Sequence, residues 1–238
     1  MSAEQNPSSN QPGTQAPRFD IYGGIHKALR RAMCGLLVRF SSTDFSDDAQ
    51  SAEILRELRV VLTLNTHHLK DENLFYHPAI EERAKGTSAR VAHQHEEHEK
   101  FLAELRQLAD SLEKADAKTR PSVAQKLYLR YGVFVGESLL HMAEEEQDML
   151  PHFHKHFSDA ELNTIVTRLR AQIPPDVNMA FMCSIIPALS RPERAMVLGG
   201  MKAHAPPEAF NAVMQVAARP NLSAEDWKDL TTRLGIPA

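Results

Sequence analysis

Two cysteines and one tryptophan are all that 238 residues contain of those types. Cys34 and Cys183 lie 149 positions apart, which excludes a disulfide framework and a CxxC metal knuckle. Long apolar runs are missing as well. The most apolar stretch, Val177 to Leu189, has 13 residues and contains Pro187, against the roughly 18 that a membrane-spanning helix needs. Nor is there an excess of one charge: 27 Lys and Arg against 31 Asp and Glu leave -4, which gives no footing for a nucleic acid or an anionic membrane as partner. No basic segment followed by an apolar run opens the chain, so no secretory signal is read. Hydrophobic residues at 42% and charged ones at 24% are ordinary soluble usage. The expectation is a soluble, cytoplasmic chain of one or two domains.

Strand patterns are absent too, and helical period takes their place. Residues 1–18 hold three prolines and no apolar cluster and read as a disordered tail. Ile21, Ile25, Leu29, Met33, Leu36 and Phe40 mark a first helix. SSTDFSDDAQ then offers caps for a second, whose seam is Ile54, Leu58, Val61, Asn65, His68, Glu72 and Phe75. Gly86–Thr87–Ser88 leads to a third, with Val91, Gln94, His98, Phe101, Leu105, Leu108 and Leu112. A fourth carries Leu127, Phe134, Ser138, His141, Glu145 and Asp148. Steps of three and four between such positions define a buried stripe. Four long amphipathic helices with short connections predict an all-α, up-down-up-down four-helix bundle over 19–172. Beyond Pro174–Pro175, the patterns Ser190-x-x-Glu193, Pro206–Pro207 and Ser223-x-x-Asp226 open short helices. They predict a helical appendage over 173–238 whose Phe181, Ile185, Ile186, Leu189 and Trp227 pack on the bundle or on a partner.

Histidine is the one residue in excess. Eleven of the 12 fall between His26 and His156, and an internal repeat orders them. HLKDENLFYHP (68–78) and HMAEEEQDMLP (141–151) both place Glu four residues after His and Pro ten after it, at a constant offset of 73. His26 and His98 lie one helix earlier in each half, 72 apart. Residues i and i+4 share a helix face, so each His–Glu pair can converge on the bundle interior. Four imidazoles and two carboxylates on buried stripes are costly unless something pairs them. That set suits iron, manganese or zinc, and the lack of thiolates argues against an iron–sulfur cluster. A metal-free polar network is the competing reading. His67 and His93 read as solvated, and His77, His152, His154 and His156 as surface residues at the bundle ends.

The doubled H…HxxxE pattern, over about residues 20–160, resembles the hemerythrin-like (HHE cation-binding) family, whose members hold a non-haem di-iron centre. The resemblance implies His26, His68, His98 and His141 as terminal iron ligands, and Glu72 and Glu145 as bridging carboxylates beside an oxo or hydroxo bridge. The segments ERAM, PPEAF and DW after Pro174 resemble an extension of some bacterial members. Two departures from the oxygen carriers stand out: Gln94 replaces a fifth histidine, and His141–Glu145 replaces HxxxxD, with Glu146 as the adjacent alternative. With about six positions on each iron, a carrier keeps one open position and this chain two. Water, His95 or Tyr22, four before His26, is a candidate for the extra one. The resemblance implies a protein that binds or reacts with O₂, NO or peroxide, with catalase-like or other oxidoreductase activity as one outcome. Iron storage or sensing, with a protein partner docking on the C-terminal helices, is one alternative; a redox-silent, metal-braced bundle is the other.

Overall fold

The computed structural model describes residues 18–237, and among these every regular element is helical. The expected tail lies outside the described residues except for Arg18. Its guanidinium is anchored by Asp159 at 2.6 Å and by the carbonyls of His154 and Phe157. The bundle consists of α1 (Gly23–Ser41), α2 (48–83), α3 (Ala89–Lys114) and α4 (120–156). Asp47 caps α2 by accepting from the amides of Ala49 and Gln50. Gly86, at φ +83°, makes the turn between α2 and α3 in a conformation that a Cβ disfavours.

Each of α2 and α4 contains one π-helical turn, Glu72–Tyr76 and Glu145–Met149. Their cause lies in the repeat. Pro78 and Pro151 have no amide hydrogen, and a proline ring crowds the carbonyl four residues back. Widening the preceding turn relieves that clash, with the amides of His77 and Leu150 reaching five residues back to Glu72 and Glu145. The extra residue moves the inward stripe on by one. Phe75 and Asp148 were expected on the seam; Tyr76 and Met149 are buried instead, and Asp148 is exposed.

Beyond the bundle, α5 (Asp159–Arg170) starts at a Ser158–Glu161 capping box. Four more helices follow: α6 (Pro175–Ala188), α7 (Arg191–His204), α8 (207–218) and α9 (Ala224–Leu234). Val177 and Phe181 of α6 enter the bundle's main apolar core, and Lys27 on α1 pairs with Glu193 at 2.5 Å. Ile186 and Trp227 instead build a separate core with Leu198 and Phe210. The bundle itself has two apolar clusters. The larger runs through Leu58, Leu105 and Phe134, and the smaller joins Tyr22, Tyr76 and Phe153 to Leu162 of α5. A layer of ionisable side chains lies between them: His98 meets Phe134 edge-on, and Tyr22 stacks on His26.

Candidate metal centre

α1, α2, α3 and α4 each send histidine into that layer, and α2 and α4 add the two glutamates. His26, His68, His95, His141, Glu72 and Glu145 are all at most 6% exposed. Their ligand atoms form two groups, each within 4.8 Å: His26, His68, Glu72 and Glu145, then Glu72, His95, His141 and Glu145. Both glutamates belong to both groups, so the two groups adjoin and share the carboxylates.

The hydrogen bonds decide where the imidazole lone pairs point. His95 donates from Nδ1 to the side-chain carbonyl of Asn73 at 2.7 Å, and His141 from Nδ1 to that of Gln94 at 2.6 Å. His26 Nδ1 faces Glu146 at 2.9 Å. These acceptors are fixed in turn: Glu146 by Arg30 at 2.6 and 3.0 Å, and Gln94 through Glu144 to Arg90. Each Nε2 is left to face inward. His26 Nε2 lies 3.3 Å from Glu145, and the Nε2 atoms of His95 and His141 stand 3.0 Å apart. With both Nδ1 protons engaged, the latter two present lone pairs to each other, which a cation between them would relieve. His26 Nε2, His68 Nε2 and all four carboxylate oxygens of Glu72 and Glu145 are buried without a hydrogen-bond partner. Such orphaned polar atoms are expensive, so the residues present fit a bound metal.

Electrostatics point the same way. Burial opposes ionisation of Glu145, but His141, His26 and His95 outweigh it and hold the carboxyl well below its usual range. Glu72 is pushed well up by burial and by the charge of Glu145. Burial also lowers His68, with neighbouring imidazoles adding to the shift, and it lowers His95. On His26 burial is outweighed by the carboxylates of Glu145 and Glu146, which raise it.

The expected residues do not all meet. His98 joins neither group; its ring lies edge-on to that of His141 with centroids 5.0 Å apart. His95 fills the place that the 72-residue offset assigns to His98. Shifting α1 onto α3 by 69 shows why: His26, Leu29, Met33, Leu36 and Phe40 then match His95, His98, Leu102, Leu105 and Ala109, all buried. His98 therefore corresponds to Leu29, a core position. Gln94 is turned away from the centre and braces His141, while Glu146 braces His26. Tyr22 is fully buried beside His26, with its hydroxyl unpartnered. His77 corrects the surface reading: it is 6% exposed and stacks on His95 at 4.8 Å, with burial lowering its pKa to about 4. Its adjacency to Pro78 and the π-helical turn was the signal for it. Asn73, Arg30, Glu144 and Arg90 had none, being ordinary polar residues on helix surfaces.

A cavity of about 10 Å³, room for one water-sized molecule, adjoins the centre between His68, His98 and His141, with Asn65, Phe134 and Ser138 among its walls. Ser138 Oγ is buried there without a partner. No helix among the described residues is long and apolar enough to cross a membrane. No curated protein and no solved structure matches the chain. The model of the Hemerythrin HHE cation binding domain matches residues 20–153, which span all four helices and both carboxylates, and the chain belongs to that family.

Proposed function

We propose that the centre holds two non-haem iron ions, bridged by Glu72 and Glu145 and by an oxo or hydroxo group, and that it binds or reacts with O₂, NO or hydrogen peroxide. The observation that carries this reading is the sharing of Glu72 and Glu145 between two four-residue groups. His26 and His68 would be terminal ligands of one ion, His95 and His141 of the other. Two imidazole nitrogens at about 2.1 Å from one ion stand about 3.0 Å apart in octahedral geometry and about 3.4 Å apart in tetrahedral geometry. The 3.0 Å between the Nε2 atoms of His95 and His141 is a spacing that one ion between them would span. With about six positions per ion, this donor set leaves about one open on each. An open position on both ions suits a two-oxygen substrate such as peroxide better than end-on carriage. When bound, the irons would supply redox and Lewis-acid chemistry. The protein fixes the imidazole tautomers and excludes bulk water.

The test is metal analysis on protein purified without added metal, with its ultraviolet–visible spectrum before and after dithionite. Two irons per chain with near-ultraviolet bands that bleach on reduction are expected, with gas release on adding peroxide. A colourless protein holding zinc would replace this reading with a metal-braced bundle. The ligand assignment has its own check. His95→Ala is expected to lower the metal content from two per chain to about one, whereas His98→Leu retains two; the reverse would return the role to His98.

The cytoplasmic reading rests on composition and on the unpaired Cys34 and Cys183. A docking role for the C-terminal helices rests on exposed Met196, Val197 and Val216.

A further inference from the structure

The 73-residue repeat relates Asn73 to Glu146, each the residue after a shared glutamate and each on a π-helical turn. Both do the same work. Asn73 accepts from Nδ1 of His95 at 2.7 Å, and Glu146 pairs with Nδ1 of His26 at 2.9 Å. The two halves therefore brace one inward imidazole each from the same place in the repeat, one with a neutral amide and the other with a carboxylate. We infer that this Glu146–Asn73 difference makes the two cation positions unequal, with Glu146 a positioning residue that makes the His26 position the tighter and first to fill. The inference rests on the two-ion reading above.

A carboxylate behind an imidazole raises its basicity toward a metal more than an amide does, and loss of such a partner typically costs 10–100-fold in affinity. Glu146 is suited to the task. Its carboxylate lies between the His26 imidazole at 2.9 Å and the Arg30 guanidinium at 2.6 Å. Arg30 also fixes both its oxygens. At the other position both braces, Asn73 and Gln94, are amides. His68 has Nδ1 3.5 Å from Glu72 of the centre itself and no hydrogen-bond partner at Nε2. Under the 69-residue shift the α1 counterpart of Gln94 is Ile25, which carries no polar atom. The charged brace on His26 is thus what distinguishes the first position.

Anaerobic titration of the metal-free full chain with ferrous iron, read by calorimetry and by chelator competition, tests this. Wild type is expected to bind two ions in separate steps. Glu146→Gln lowers the tighter constant 10–100-fold and leaves the weaker within about threefold. Asn73→Asp, the converse change, strengthens the weaker step and narrows the gap. Melting of the metal-free variants guards against misfolding, since a merely structural role would depress both steps together with the melting temperature. Unchanged constants in Glu146→Gln, or loss from the weaker step alone, would overturn the inference while leaving the two-ion reading intact. A wild type that binds a single ion would instead overturn that reading, and the inference with it.

Discussion

Glu145→Ala is expected to leave fewer than one metal ion per chain, against the two expected of the wild type. The carboxylate belongs to both groups, so its removal takes one ligand from each position at once. Structural metal sites with four protein ligands gain about 10–16 kcal/mol on binding, about 3 kcal/mol per ligand, and one lost bond therefore weakens each ion about 100-fold. A second effect adds to the first. Without the Glu145 charge, the buried layer around His26, His95 and His141 also loses the anion that offsets the positive charge of a bound cation. Glu137→Ala, an exposed position on the same helix with no ion pair, is the control and should retain two ions. The measurement is metal content after exhaustive dialysis, with circular dichroism to confirm the helices. Two ions retained by Glu145→Ala would remove the shared-carboxylate assignment.

Much of this centre could be read in the sequence, for a physical reason. Within one helix, spacing is geometry, so His68 with Glu72 and His141 with Glu145 were fixed by the i, i+4 rule alone. Between helices, spacing is not geometry. Loop length is free, so the offset that relates α2 to α4 need not relate α1 to α3. The 72-residue match between His26 and His98 was one register among several, and the buried positions select 69. The π-helical turns were hidden differently. Their signal, a proline six residues after each glutamate, was visible, but its consequence is an inserted residue that a strict 3.6 period cannot express. This is why Tyr76 and Met149 replaced Phe75 and Asp148. Of the braces behind the imidazoles, Gln94 stood on the expected stripe and Glu146 beside an expected ligand, whereas Asn73 is a residue that a helical pattern assigns to solvent. Only side-chain placement distinguishes Asn73 from any other polar surface position, and only it shows which imidazole each brace meets.

The same buried imidazoles make a second strong prediction, that the metal-free protein loses stability as pH falls from about 6.5 to 4. Burial lowers His98 to about 4, with neighbouring His141 and His95 adding to the shift, and burial lowers His77 to about 4 as well. The unfolded chain returns each to about 6.5. Between those values the unfolded state binds the extra protons, so the stability present above pH 6.5 declines through the window and levels off below pH 4. Each such group contributes a slope of about 1.4 kcal/mol per pH unit. His68 and His95 shift in the same direction, and Glu72, raised, opposes them in this window; His26, also raised, acts above pH 6.5. A single substitution isolates one contribution from this sum. His98→Leu places at that level the residue that α1 carries at the matching position, Leu29, and removes one titrating imidazole from the buried layer. Its urea-unfolding free energy, measured from pH 6 to pH 4.5, should fall less steeply than that of the wild type by about 1.4 kcal/mol per pH unit. Equal slopes would mean that His98 is protonated within the fold, and the layer would then hold a cation of its own where the geometry leaves room for metal.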